Sequence, residues 1–389
     1  MAKVLNFNAS ALFSDYYFYV SILNLSHIGI SYGKEVQLAA SRTILSRLDG
    51  ARISRSEVKI LSSSTILIAP EAVPFRDVRS KNEFLLDLMY CEPVIIAGSN
   101  VVLSVELGRV KSDELLVSEG LDRSGCVGPL FTEVMIPPCV ATKSWKDNYL
   151  SEMEAAHTFY SQPFRDSYKS MPVSYYHSPE LVLFDEILLD SGLDLSNKMI
   201  FGALEFTGTV AYSEFCLFEK VVDILLRDQF SSVSVNISLA NFYCNSWWEH
   251  IVTFLEFNPD MARRIYFELT ETQPLQCHRF RGEKRLVDSI KSAGGHLVLD
   301  DFGAGFSSFY QVDLLEPEIV KVDKKLLHDA RKGKKYYNIL LSVVRYIMEQ
   351  CGFCVVEGVE NEQDLLIVES TGANLIQGKY LDKYTRADL

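Results

Sequence analysis

No stretch of the 389 residues approaches the run of about 20 apolar residues that a membrane span requires. The N-terminus also lacks the basic region and continuous apolar core of a signal peptide. Together these absences predict a soluble, cytosolic chain. Positive charge is scarce: 38 Lys and Arg stand against 51 Asp and Glu, for a net charge of −13. That balance argues against a general binder of nucleic acid or anionic membrane, whose affinity comes from clustered Lys and Arg. An anionic substrate would therefore need bound cations or a local basic group such as Lys321. The eight cysteines are scattered, and the one close pair, Cys351 and Cys354, has no second pair or spaced histidines beside it. They read as reduced core thiols rather than as a zinc or redox site.

What is present is enough chain for two or three domains. Residues 1–115 read as a small α+β unit of ferredoxin-like βαββαβ order. Its strands are expected at Tyr17–Leu25, Glu57–Leu61, Ile66–Ala69 and Val101–Leu107, with helices at Lys34–Leu48 and Lys81–Met89. The two middle strands meet at Ser62-Ser63-Ser64-Thr65, a plausible turn. Residues 116–180 are expected to hold a closing helix, Trp145–Tyr160, and a linker.

From 181 to 389 the pattern changes to short apolar strands alternating with amphipathic helices. Strands are expected at Ile200–Phe206, Ser232–Ile237, Arg264–Leu269, His296–Leu299, Ile319–Val322, Phe353–Val356 and Asn374–Ile376. Repeated βα units with continuous apolar strands imply a parallel sheet, and this many favour a closed TIM-like (β/α)8 barrel.

The residues that end these strands are polar: Glu205, Asn236, Glu268, Asp300 with Asp301, Lys321 with Asp323, Glu357 and Gln377. In a parallel barrel the strand C-termini meet at one mouth, so these residues should converge. An all-oxygen set of carboxylates and amides with one lysine suits hard cations such as Mg²⁺ or Mn²⁺. The pair Asp300-Asp301 is the centre of this expectation, because adjacent carboxylates at the end of a buried strand need a cation or proton between them. Gly303 and Gly305 follow in a loop that permits positive φ and close approach to a ligand.

Six motifs carry a family resemblance: Val235-Asn236-Ile237-Ser238; Phe267-Glu268-Leu269-Thr270-Glu271; Leu299-Asp300-Asp301-Phe302-Gly303-Ala304-Gly305; Val320-Lys321-Val322-Asp323; Val356-Glu357-Gly358-Val359-Glu360; and Gln377-Gly378. In this order they resemble the EAL domain, the bacterial cyclic-di-GMP phosphodiesterase. The resemblance implies two divalent metals, Mg²⁺ or Mn²⁺, and hydrolysis of cyclic di-GMP to linear pGpG. Carried over by motif, Glu205, Asn236, Glu268, Asp300, Asp301 and Asp323 would hold metal, and Lys321 and Glu357 would be catalytic. Glu271, Glu360, Gln377, Gly303 and Gly305 would support the site or the substrate. The family's habit also implies a homodimer through the barrel. The first domain resembles, in element order, the GGDEF domain of diguanylate cyclases. Its signature turn falls at Ser62–Ile66 without acids or glycines, which implies a degenerate domain with no cyclase activity.

With Glu205 taken as the signature glutamate, the sequence departs from the family around it. The following residues are Phe206-Thr207, and the arginine expected four positions on is Thr209. The interval to Asn236 is short, and the Gln-Pro that opens the domain reads Asp185-Glu186. A guanidinium on a phosphate is not replaceable by a hydroxyl. Two functional readings follow: a phosphodiesterase weakened in substrate binding, or a non-catalytic regulator that binds cyclic di-GMP or a protein partner. The bare chemistry also admits an enolase-like proton abstraction with Lys321 as base.

Overall fold

Val233-Ser-Val-Asn-Ile-Ser238 and Ile319-Val-Lys-Val322 show how the larger unit forms: both are rich in β-branched residues, and each turns polar side chains such as Asn236 and Lys321 to one face. The computed structural model describes residues 16–90, 93–96, 98–111, 142–162, 168–190, 197–238, 245–270, 280–303 and 309–384. Two units are distinguished: residues 1–163 with 193–212 and 244–247, and the remainder.

In the first unit, β1 (Tyr16–Ile22), β2 (Val58–Ile60) and β3 (Thr65–Ile68) assemble with a later strand after an inserted hairpin. The hairpin is β4 (Val94–Ile96) and β5 (Ser99–Val101), and the later strand is β6 (Val105–Lys111). The sheet order is β2-β3-β1-β6, with every neighbour antiparallel. This is the expected ferredoxin-like arrangement, although its last strand starts four residues later than the sequence pattern indicates. Phe18, Val20 and Ile22 are fully buried, and Val36, Ala40, Ile44 and Leu48 form the buried stripe of the helix Lys34–Gly50.

The second unit is a closed barrel. Its strands are β7 (Tyr168–Tyr175), β8 (Ser178–Leu189), β9 (Val233–Ser238), β10 (Ile265–Thr270), β11 (His296–Phe302), β12 (Ile319–Val322), β13 (Phe353–Glu357) and β14 (Leu375–Gln377). Strands β8 to β14 run parallel in sequence order, and β7 closes the ring antiparallel to both β8 and β14. The segment expected to be a linker up to residue 180 therefore contains a barrel strand and its hairpin turn. A second correction concerns Ile200–Phe206, expected as a strand: it lies in the helix Asn197–Thr207, which belongs to the first unit. There Asn24 Nδ2 donates to Thr207 O at 3.3 Å and to Val102 O at 3.0 Å.

Inside the barrel, Val173, Phe184, Val298, Ile319, Val355 and Leu375 form one apolar layer, with Tyr266 packed against it. Phe184 stacks on Tyr266 at 4.4 Å between ring centroids, and Tyr266 on His296 at 4.6 Å. Side chains alternate along a strand, so on the parallel strands β8 and β10 to β14 the residue two positions past each member of the layer also faces the barrel axis, nearer the mouth. Those residues are Glu186, Glu268, Asp300, Lys321, Glu357 and Gln377. The apolar layer is thus the floor on which the polar mouth stands. Phe184→Ala should cost about 3–5 kcal/mol of stability, read as a lowered denaturant midpoint; an unchanged midpoint would show that this layer does not support the barrel.

Candidate functional site

Lys321 is the hub of the mouth. Its side chain is 1% exposed, and Nζ lies 2.9 Å from Glu186 Oε2, 2.7 Å from Glu268 Oε2, 3.2 Å from Asp300 Oδ1 and 3.0 Å from Glu357 Oε1. Around it, Asn236 Nδ2 donates to Glu186 Oε1 at 2.9 Å and Gln377 Nε2 to Glu186 Oε2 at 2.7 Å. Ser234 Oγ donates to Glu268 Oε1. The constellation comes from seven strands, β8 to β14, each contributing at positions that its inward alternation dictates.

Asp300 and Asp301 require a departure from that alternation, since consecutive strand residues point to opposite faces. The register between β11 and β12 shifts between Leu299 and Phe302, and Asp301 has φ +53°. This bulge re-aims the chain. As a result Asp300, Asp301 and Glu357 bring carboxylate oxygens within 4.8 Å of one another, as do Glu186, Glu268 and Asp300. Gly303 follows at φ +96°, a backbone conformation that strains any residue with a side chain, and a Cβ there would also press on Leu326 Cδ1 at 2.6 Å.

Four negative charges around one ammonium leave a formal excess of three. Burial works against the charge of Lys321, but Asp300, Glu186, Glu268 and Glu357 hold its pKa well above the ordinary lysine range. Burial and the charge of Glu186 push Glu268 well up, with Lys321 opposing. Asp300 is raised by burial against the pull of Lys321. Glu357 is pushed up to about 8, by burial and by the charges of Asp300 and Glu186, despite Lys321. Glu186 alone is lowered: burial raises it, but Lys321 and the hydrogen bonds from Asn236 and Gln377 outweigh that cost.

A hard divalent cation fits this set. The donors are all oxygen, their excess charge is negative, and Asn236 Oδ1 is a buried acceptor with no hydrogen-bond partner among the described residues. Glu186, Asn236, Glu268 and Asp300 would hold one ion, and Asp300, Asp301 and Glu357 a second.

The structure brings together Asn236, Glu268, Asp300, Asp301, Lys321, Glu357 and Gln377, all expected from the sequence. It separates others. Glu205, expected as a metal ligand at a strand end, sits on the helix Asn197–Thr207 of the first unit and belongs to neither carboxylate group. Asp323 caps the helix Lys324–Ala330, accepting from Lys325 N at 2.8 Å, and belongs to neither carboxylate group. Glu360 pairs with Arg331 at 3.0 Å and is exposed. Glu271 and Gly305 lie outside the described residues.

Sequence reasoning missed Glu186. With Glu186 in the signature position, Ile187-Leu188 follow it, and the position four residues on is Asp190 rather than Thr209. Met171-Pro172 on β7, paired with Glu186 and Asp185, then takes the place that the resemblance gives to the opening Gln-Pro, in place of Asp185-Glu186 itself. The interval to Asn236 grows by nineteen residues. The signal that locates Glu186 is its place two residues past the inward Phe184.

Glu357 gives this site a pH signature in the absence of metal. Its folded-state pKa, about 8, lies above the ordinary value of 4.5, so between these values the native state holds a proton that the unfolded chain has released. Stability of the EDTA-treated protein should therefore fall as pH rises from about 4.5 toward about 8 and level off above. The melting temperature of Glu357→Gln should fall less over the same range. Parallel pH profiles for the two proteins would contradict the assignment.

Comparison with known proteins agrees with the barrel. The family model for the EAL domain matches residues 189–384, half of the chain. The cyclic di-GMP phosphodiesterase PdeB of Shewanella oneidensis is 28% identical over 146 residues, 38% of this chain and 17% of PdeB. The blue light- and temperature-regulated antirepressor BluF of Escherichia coli is 24% identical over 135 residues, 35% of this chain and 32% of BluF. The chain thus spans less than a third of either relative. Among solved structures, the EAL enzyme Bd1971 in its cGMP-bound form is similar with a TM-score of 0.50 and 17% identity, covering 74% of this chain and 81% of that one. With the closed barrel, its polar mouth and a family match over half its length, this chain belongs to the EAL domain family.

Proposed function

We propose that this chain is a divergent, metal-dependent phosphodiesterase that hydrolyses cyclic di-GMP to linear pGpG with weakened substrate affinity. The observation that carries the reading is the set of carboxylates converging on Lys321, which is costly to bury unless a cation compensates it. Two ions, Mg²⁺ or Mn²⁺, would when bound lower the pKa of a shared water and offset charge on the phosphorane-like transition state. Lys321 would donate from Nζ to the attacking water or to a non-bridging phosphate oxygen. Its elevated pKa keeps that donor charged. Gln377 and Asn236 orient Glu186, which fixes one wall of the site.

The weakness follows from β8. Asp190, where the family resemblance implies an arginine for the ligand's phosphate, is exposed and acidic. It would repel that phosphate rather than grip it.

Asp190 also favours a second reading, a regulator that retains the mouth but binds a partner, in keeping with the likeness to an antirepressor. Residues 1–115 are proposed as a degenerate GGDEF-like domain without cyclase activity, the helix Lys143–Tyr160 as its closing helix, and the strands from Tyr168 onward as the core of the EAL-like domain. The turn at Ser62–Ser64 carries only hydroxyls, with Ser62 Oγ accepting from Thr65 N at 3.0 Å. Asn24 is committed to Ser104 N and Val102 O.

Incubation with cyclic di-GMP and Mn²⁺ or Mg²⁺, following the linear dinucleotide, tests the reading. Slow turnover is expected in the native chain, with a loss of at least about 100-fold in Asp300→Asn. Asp190→Arg should lower KM by about 10- to 100-fold. No turnover in any of the three, with ligand or partner binding indifferent to Asp300→Asn, would establish the regulator instead.

A further inference from the structure

The loop Gly358-Val359-Glu360 carries the chain from Glu357, at the end of β13, into the helix Glu362–Thr371. It is held from three sides. Val359 N donates to Gln377 O at 3.1 Å, and Tyr380 N donates to Val359 O at 2.9 Å. His328 Nε2 lies 3.2 Å from Gly358 O, a hydrogen bond in the tautomer protonated at Nε2. On the third side, Glu360 N donates to Asp364 Oδ2 at 2.9 Å.

Asp364 is itself gripped. Arg331 donates from Nε to Oδ1 at 2.8 Å and from Nη2 to Oδ2 at 2.7 Å, and Nη2 also reaches Glu360 Oε2 at 3.0 Å. The Asp364 side chain is 1% exposed, so this bidentate pair is largely shielded from solvent on its acidic side. Arg331 ends the helix that begins at Asp323, two residues past Lys321. The clamp therefore ties the chain after Lys321 to the chain after Glu357, the two residues whose side chains meet at 3.0 Å in the mouth. Gly358 leaves no slack: at φ +74°, a Cβ there would lie 2.5 Å from Lys324 Cβ.

We propose that Arg331 and Asp364 are positioning residues for Glu357, holding the loop after β13 so that this carboxylate reaches Lys321. The consequence for function rests on the metal-centre reading above; the placement of Glu357 does not. Neither residue touches the carboxylate itself, and both act through the Glu360 amide and the backbone it fixes. A lysine at 331 keeps the charge but cannot make the paired contact, because its ammonium lacks the fork of donors.

The test uses the full chain, stripped of metal, with the Lys321 ¹⁵Nζ resonance as the reporter of the carboxylates around it. Arg331→Met should displace that resonance in the same direction as Glu357→Gln, and Arg331→Lys should displace it by less. The double variant Arg331→Met with Glu357→Gln should show no displacement beyond that of Glu357→Gln alone. A resonance at its native position in Arg331→Met, or in Arg331→Lys should the methionine variant fail to fold, overturns the proposal; so does an additive displacement in the double variant. In a second arm, Mn²⁺ affinity measured by titration should fall about 10- to 100-fold in Arg331→Met. Unaltered affinity in a variant whose Glu357→Gln counterpart binds weakly also overturns it. If the native chain binds no Mn²⁺, the proposed function fails while the Lys321 resonance still decides the placement of Glu357.

Discussion

One ammonium group buried among four carboxylates is the interaction on which the rest of the barrel mouth depends. Lys321 cannot be taken out of water alone, and Glu186, Glu268, Asp300 and Glu357 cannot be crowded together without it. Each makes the other tolerable, yet the balance is incomplete and leaves negative charge in excess. Burial, together with that excess of charge, raises the pKa values of Glu268, Asp300 and Glu357, and the excess makes the site a receptor for hard cations. The same carboxylates that make the mouth unfavourable to bury give it its chemistry.

Strand geometry supplies the convergence. Because inward positions recur every second residue, an apolar layer and a polar layer follow automatically when each strand carries one apolar and then one polar inward residue. Phe184 and Glu186, Val298 and Asp300, Ile319 and Lys321, Val355 and Glu357, and Leu375 and Gln377 are such pairs. Only Asp301 breaks the rule, and it does so through a bulge with positive φ, a conformation that aspartate tolerates better than most residues.

Much of this was legible in the sequence because apolar runs of four to six residues between amphipathic helices have one economical solution. The strands β9 to β14 lie within a residue or two of their expected places, except that β11 continues through the bulge to Phe302. The errors have physical causes. Met199-Ile-Phe-Gly-Ala-Leu204 is an unbroken apolar run, and periodicity cannot tell a buried strand from a buried helix over so short a span. Meanwhile the first half of β8 carries exposed Leu181 and Val182 and so lacks the clean alternation that marks a strand. The sequence pattern therefore points to Glu205 on the helix Asn197–Thr207 rather than to Glu186 on β8. Asp323 ends β12 as expected, but a carboxylate preceding a helix has a competing use as its cap, and that use prevails. Glu360 is likewise drawn to Arg331, a partner 29 residues away that no local pattern reveals.

In the proposed reading Glu186, and not Glu205, completes a divalent-cation centre with Asn236, Glu268 and Asp300. Anomalous diffraction from crystals of the full chain grown with Mn²⁺ decides between the two glutamates. Manganese density bounded by the side-chain oxygens of Glu186, Asn236, Glu268 and Asp300 is expected. An empty mouth at saturating Mn²⁺, or manganese bound beside Glu205 instead, would contradict it.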